Sequence, residues 1–543
     1  MSGACAAGDN GATVIAASLQ AAGVRSVFAY PGDPIIEFME RCRQQGTDVV
    51  LAGREGSAAF MAEAQAMATG GLGVCVSTLG PGSTALVNGV AAANLDRVPM
   101  LAISGQIETA RQAFFTHQVV EHTLVFNPVT KWAGRMEAGS VGTTMRKAIR
   151  TATAERPGAV HISCASDTFN APTPDAVVTA PPATEAASSA YVCRAPGCDL
   201  DPHAVLAAAR RPVILAGIGA TRAGASGALQ RLAQTAGLPV VVSPMAKGVF
   251  PEDSPWFAGV LDMACNERVW EFMAGSDLIV AAGFDPVELI KPWQLRTPVL
   301  HIDATANTDQ VYPSEVEVIG HVGASLDWLA DAWAGQPRWT EAQVKAHRAQ
   351  LTDEYYAGRV SGRLNPTDVI DIVQAAFPAG TIVTTDVGSH KLLVGQGWRA
   401  MGPRSVLMTN GLSAMGFGLP AAISAKFTLP DRPVVALIGD GGFAMTATEL
   451  RLASARGIGV AVVVFMDGSL NRIELKQSAL GYPSTATRLA DMDLVTLADA
   501  LGCDGARAET SAELESAVAK AADLTRPLVI EARIDPAQYQ SQF

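Results

Sequence analysis

The chain has 543 residues, of which 49% are hydrophobic and 17% charged, and its formal net charge is -12. That length allows about three or four domains with sizeable cores, and the apolar content excludes a disordered chain. An acidic balance without a Lys/Arg cluster argues against nucleic acid as a partner. Eight Cys are scattered with no CxxC pair; Cys193 and Cys198 lie closest, and all are expected to be reduced thiols. The opening MSGACAAGDN has no basic start and no apolar run, and no stretch of eighteen apolar residues follows. The expectation is a soluble, cytoplasmic protein that does not enter a membrane.

Up to about residue 172, short apolar runs alternate with Ala-rich helical patterns. VRSVFAYPG, VVLAG, GVCVSTLG, PMLAISG and AVHISCA read as strands, most of them closed by Gly, Pro or Ser. This rhythm predicts a parallel α/β sheet. Residues 170–200, rich in Pro, Ala, Ser and Thr, read as a linker. A second α/β unit over 199–335 carries the strands RRPVILAG, LPVVVSP, SDLIVAAG and TPVLHID. Residues 336–365 are polar with a helical pattern and read as a second linker. A third unit over 366–543 carries TIVTTDVG, SVLMTN, PVVALIGD, AVVVFMD and PLVIEARID. The fold class is therefore α/β, with three doubly wound parallel-sheet domains at 1–172, 199–335 and 366–543. The first and third could share a fold.

The strongest signal lies at 439–469. The apolar run VVALI leads into Gly439-Asp440-Gly441-Gly442, a helix follows, and a second run, VAVVVFM, ends at Asp467-Gly468-Ser469. Neighbouring parallel strands present their carboxyl ends side by side, where ligands bind. Asp440 and Asp467, 27 positions apart, are thereby brought together. Two carboxylates and a loop carbonyl, taken as that of Ser469, suit magnesium facing a phosphate. The glycines let backbone approach that phosphate, and the helix start supplies amide donors. A lone GDG is more often a turn or a helix cap; the strand–helix–strand frame and the second Asp favour the cofactor reading.

This segment resembles the cofactor-binding motif of thiamine-diphosphate enzymes, a GDG followed by paired Asn. NGLSAMGFGLPAA at 410–422 is similar to the ring-holding segment of acetolactate synthases. YPGDPIIEF, GREGSAAFMAEAQA, TLGPGSTALVNGVAAANLDRVPMLAISGQ and NPVTKW resemble the family's pyrimidine-binding domain, and SPMAKGVFPEDSP its central domain. The N-terminal, central and C-terminal domains would then be pyrimidine-binding, central and diphosphate-binding. One departure stands out, since the paired Asn is Met466-Asp467 here. Asp still ligates magnesium but adds charge, so metal preference could differ.

The resemblance implies roles. Glu55 matches the Glu that protonates the aminopyrimidine so that its amino group becomes the base for the thiazolium C2; a surface Glu beside Arg54 is the plain alternative. Met415 matches the wedge that bends the cofactor, although Met is often core filler. The Ser413 carbonyl would accept from the pyrimidine amino group. Val387-Gly388-Ser389-His390 matches a diphosphate-contacting loop, with His390 a possible phosphate donor or simply a surface His. Homodimers, or dimers of dimers as a homotetramer, are implied, with Glu55 and Asp440 meeting across an interface.

The implied reaction decarboxylates a small 2-oxo acid and passes the acyl anion equivalent to a second carbonyl. Asp33, in Pro31-Gly32-Asp33, stands where acetolactate synthases carry Gly and resembles simple decarboxylases, where that Asp delivers a proton and an aldehyde leaves; a turn Asp is the plain reading. His117-Gln118 stands for a Phe-Gln pair. Gln118 would line the pocket and His117 could supply a proton. Glu474 and Lys476 either face substrate or are solvated. Gly217-Ile218-Gly219-Ala220-Thr221-Arg222 follows a strand in the central unit, where relatives bind FAD or an ADP moiety, but a short GxG turn lacks the full GxGxxG pattern. With a redox-active FAD the chain would instead be a 2-oxo acid oxidase.

Overall fold

The computed structural model describes residues 3–4, 9–173, 177–179, 190–195, 198–521 and 524–543. Cys5, most of the N-terminal stretch and much of the linker at 170–200 lie outside the described residues; the seven described Cys are all free thiols.

The strands, in chain order, are β1 (Gly3–Ala4), β2 (Ser26–Tyr30), β3 (Asp48–Leu51), β4 (Gly73–Ser77), β5 (Met100–Gln106), β6 (Trp132–Met136), β7 (Ala159–Ala165) and β8 (Val177–Val178). Then come β9 (Tyr191–Arg194), β10 (Pro212–Ala216), β11 (Val240–Val242), β12 (Phe257–Val260), β13 (Leu278–Ala282), β14 (Val299–Asp303) and β15 (Ser314–Ile319). The last are β16 (Ile382–Thr385), β17 (Val406–Leu407), β18 (Val434–Gly439), β19 (Ala461–Met466), β20 (Asp504–Ala508) and β21 (Leu528–Arg533). They form three large sheets in the orders β3-β2-β4-β5-β7-β6, β12-β11-β10-β13-β14-β15-β9 and β17-β16-β18-β19-β21-β20, with β1 and β8 as a small separate pair. All three domains are α/β, as predicted. The first and third sheets run through their six strands in one and the same spatial order, so the suspected common fold is there.

The inner strands are parallel and nearly wholly buried, which is why they read as unbroken apolar runs rather than alternating ones. β6, β12, β15 and β20 were not anticipated. DGARA and SEVEVI mix polar and apolar residues because each lies near a sheet margin, whereas β12, FAGV, is short, apolar and fully buried. The central sheet departs from all-parallel: β9 pairs antiparallel with β15, using residues expected to be linker. The second expected linker holds a helix, Glu341–Tyr355, opened by a capping box at Thr340 and Gln343. Among the described residues no helix is long and apolar enough to cross a membrane.

The described chain divides into two compact units. One combines the N-terminal sheet with Leu412–Leu429 and Thr446–Arg456; the other holds the central and C-terminal sheets. In the first unit the helix Glu55–Thr69 is the hub. Its Ala, Gly and Ser residues allow backbones to come close, and the carbonyl of Ala62 lies where a Cβ on Gly73 would stand. The helix Gly418–Thr428 packs on it, with the Ser424 hydroxyl donating to the Met61 carbonyl at 2.6 Å. Phe417 meets Phe60 edge-on at 5.8 Å, and both rings are fully buried. Phe417→Ala is expected to cost about 3–5 kcal/mol, read as a lowered urea midpoint; an unchanged midpoint would show that this contact does not anchor the segment.

Candidate active site

In an open parallel sheet the crevice lies where successive connections leave in opposite directions. In the N-terminal sheet that point falls between β2 and β4, and in the C-terminal sheet between β16 and β18. The residues singled out from sequence gather at these two edges.

At the N-terminal edge, Asp33 opens a 3-10 turn just after β2 and is exposed. Glu55 opens the helix that follows β3 and is half-buried. The turn after β4 runs through Thr78 to Gly82. Gly80 has φ +52°, and a Cβ there would meet the Gln118 carbonyl at 2.5 Å. A Cβ on Gly82 would stand 3.1 Å from the Glu55 Oε1, so the carboxylate lies over the start of the helix Pro81–Leu95. Glu55 and Gln118 thus converge on one turn. Gln118 itself has φ +58° and is exposed, as is His117, whose ring meets Phe115 edge-on. Below the turn runs a buried polar belt that the sequence reading passed over as strand. Ser77 meets Ser104 at 3.0 Å, Ser104 meets His161 at 2.9 Å, and Ser163 meets His122 at 2.8 Å. Burial holds both imidazoles well below their usual range, and thus neutral.

Ser413 and Met415 belong to this same unit, in the segment leading into the helix Gly418–Thr428. Both are half-buried, and Ser413 and Gly416 have φ +54° and +84°. That leaves the segment a tight loop rather than a helix.

At the C-terminal edge, Asp440 is the centre of the network. Its carboxylate accepts from the Gly441 amide at 2.8 Å and, from the next strand's loop, the Gly468 amide at 2.8 Å. Asp467 accepts from the Ser469 amide at 2.9 Å. Burial raises both pKa values; that of Asp467 reaches about 7, with the Asp440 charge as the second cause. Two carboxyls pushed up by burial, one of them also by the other's charge, are what a divalent cation would stabilise as anions. The buried Ser469 hydroxyl has no hydrogen-bond partner in the protein. Among the described residues no three His, Cys, Asp or Glu side chains gather at one point. A metal here would therefore complete its shell from backbone and phosphate oxygens. The residues fit magnesium and a diphosphate.

His390 differs from expectation. Its Nε2 accepts from the Gly439 amide at 3.1 Å, and the Asp386 backbone engages the ring as well. The ring packs against Gly388 and Gly439, where any Cβ would strike it. His390 ties the two loops flanking the crevice together rather than offering a proton to phosphate. Val387, Gly388 and Ser389 lead into the helix Ser389–Gly397. The Val387 amide donates to Asp386 at 2.8 Å and the Ser389 hydroxyl to Asn471 at 2.7 Å. Asp386, whose carboxylate lies against Gly442, and Asn471 were missed by the sequence reading, as was buried Lys391, which donates to the Thr409 carbonyl at 2.6 Å. Only Asp386 carried a signal, as a polar residue next to a strand end; Lys391 and Asn471 lie in helices and carried none. Glu474 is half-buried, paired with Arg488, and its charge adds to the rise of the Asp467 pKa, whereas Lys476 is exposed, so the solvated reading suits Lys476 alone.

The central domain does not fit a dinucleotide. After β10, the Ile218 amide donates to both oxygens of the buried Glu288, at 3.0 and 3.1 Å, and the Asp285 amide and Ser243 hydroxyl donate to it too. The Glu288 Oε1 lies 2.5 Å from where a Cβ on Gly217 would be. A carboxylate of the chain itself thus occupies the position that a phosphate would take at this switch point.

Burial pushes His390 down to about 3. An unfolded imidazole takes up its proton near pH 6.5 and this one does not until about 3. Its contribution to stability is therefore complete above about pH 6.5 and is lost progressively as pH falls toward 3. Nitrogen NMR should show a neutral His390 ring at pH 5; a charged ring there would contradict the assignment.

Comparison with known proteins agrees with this geometry. Residues 9–126 match the thiamine pyrophosphate enzyme N-terminal TPP binding domain, 203–329 the central domain and 386–532 the C-terminal TPP binding domain. A probable acetolactate synthase large subunit of Methanocaldococcus jannaschii is 30% identical over 97% of this chain and 92% of its own. An acetolactate synthase of Bacillus subtilis is 27% identical over 97% and 93%, and the isozyme 3 large subunit of Escherichia coli 29% over 95% and 93%. The chain belongs to the thiamine pyrophosphate enzymes, as an acetolactate-synthase-like member.

Proposed function

We propose that this enzyme decarboxylates a small 2-oxo acid and transfers the acyl anion equivalent to a second carbonyl, as an acetolactate-synthase-like carboligase. The observation that carries this reading is full-length similarity to acetolactate synthases together with the paired carboxylates of Asp440 and Asp467 at one crevice. Thiamine diphosphate supplies an acidic thiazolium carbon and an electron sink. Asp440, Asp467 and the Ser469 carbonyl hold magnesium, while Gly439, Gly441 and Gly442 keep side chains out of the diphosphate's path. Val387 to Ser389 add a helix start for the same anion. Glu55 would hold a proton for the pyrimidine nitrogen, the Ser413 carbonyl would accept from the pyrimidine amino group, and Met415 would lie against the rings. Gln118 and His117 line the substrate side.

A second reading rests on Asp33. Its exposed carboxyl beside the crevice could deliver a proton and release an aldehyde, as in a simple decarboxylase. An oxidase reading loses support from Glu288, which fills the central crevice. The three domains are taken as 1–172, 199–335 and 366–543, and the working form as a homodimer or a dimer of dimers that pairs Glu55 of one chain with Asp440 of another. Activity regained in mixed dimers of Glu55→Gln and Asp440→Ala chains would support that pairing, and none in verified mixed dimers would count against it.

Incubation with pyruvate, glyoxylate or benzoylformate should yield a ketol in step with carbon dioxide. One aldehyde per carbon dioxide, with no ketol, would replace carboligation by the simple decarboxylase. Asp440→Ala and Asp467→Ala should lose tight cofactor binding, since the diphosphate charge is left without its metal; full occupancy in both would overturn the metal assignment. Glu55→Gln should keep cofactor and slow C2 proton exchange roughly 100- to 10,000-fold. Exchange at the parent rate would remove Glu55 from the activating role.

A further inference from the structure

The stretch Thr446–Arg456 comes from the C-terminal part of the sequence yet packs with the N-terminal sheet. It grips β3 at both ends. At the start of β3, Arg456 donates to both oxygens of Asp48, at 2.6 and 3.1 Å. Just past the end of β3, Glu449 Oε2 accepts from the Gly53 amide at 2.8 Å. Gly53 opens the turn Gly53-Arg54-Glu55. A Cβ at 53 would stand 2.7 Å from Glu449 Oε1, so the carboxyl lies directly against that turn.

Glu449 is wholly buried, and its Oε1 has no hydrogen-bond partner in the protein. An acid in that setting is costly to keep unless its position serves something. The helix that begins with Glu55 has no side-chain cap of its own at Arg54. Glu449, 394 positions from Glu55, instead fixes the amide just before the cap residue. Burial raises its pKa, and the Gly53 amide and the charge of Arg54 pull the other way.

We infer that Glu449 is a positioning residue for Glu55: with Arg456 it clamps β3 so that the turn after the strand holds the Glu55 carboxyl at one place. The inference rests on the reading of Glu55 as the activating acid. It requires no step at Glu449 itself, only a fixed acceptor for the Gly53 amide.

Two measurements test it. In cofactor-free protein, amide hydrogen exchange over residues 50–58 should be at least tenfold faster in Glu449→Ala than in the parent. In protein loaded with thiamine diphosphate and magnesium, C2 proton exchange should be at least tenfold slower in Glu449→Ala at equal cofactor content. Glu449→Gln keeps an acceptor oxygen at full reach and should recover part of both, whereas Glu449→Asp draws the acceptor back by one methylene and should not. If the Ala variant does not fold, the contrast decides: Asp at least threefold slower than Gln supports the inference, and equal rates overturn it. Parent-like behaviour of Glu449→Ala while Glu55→Gln is slow overturns this inference alone. Parent-like exchange in Glu55→Gln overturns the activating role and this inference with it.

Discussion

Asp440 and Asp467 end neighbouring strands of one parallel sheet, and their carboxyls share a half-buried edge. Burial raises both pKa values, and the charge of Asp440 adds to the effect at Asp467 until it reaches about 7. Backbone amides from Gly441, Gly468 and Ser469 offset only part of that cost. A divalent cation would remove that cost, so the pair suits this edge to metal and phosphate. The surroundings follow from it: glycines where a Cβ would collide, and a neutral His390 that binds two loops without bringing a charge. The Asp at 467 in place of the family's Asn strengthens the constraint, since the site carries one more negative charge.

The first and third sheets share a strand order, and each puts its predicted residues at its own switch point. They divide the work by side-chain type. The C-terminal edge carries carboxylates and small residues, as a metal–diphosphate site needs. The N-terminal edge carries Glu55 and Gln118 over a tight turn, with neutral imidazoles and hydroxyls beneath it. The central sheet has the same kind of crevice but fills it with Glu288. The Ile218 amide, which would meet a phosphate there, already has a carboxylate.

Much of this was legible in the sequence because parallel strands are buried on both faces and announce themselves as apolar runs ending in Gly, Asp or Ser. VVALIGDGG and VAVVVFMDGS placed Asp440 and Asp467 on adjacent strand ends without further help. The marginal strands escaped, since DGARA and SEVEVI carry polar residues where one side meets solvent. β9 escaped because YVCR is four residues inside a Pro- and Ala-rich stretch, and its pairing with β15 is antiparallel. His390 was misjudged for another reason. A His at a helix start looks exposed in sequence, and only packing between Gly388 and Gly439 shows it closed in. Glu449 and Glu288 were invisible because their partners, Gly53 and Ile218, lie far along the chain and contribute only backbone amides.

The account turns on metal and diphosphate being bound as one unit by a carboxylate pair. The most direct measurement is calorimetric titration of thiamine diphosphate into metal-stripped protein, with and without magnesium. The account predicts at least roughly 100-fold tighter binding with magnesium, about 2.7 kcal/mol, because the anion otherwise meets two carboxylates unshielded. Equal affinity in the presence of a chelator would contradict it.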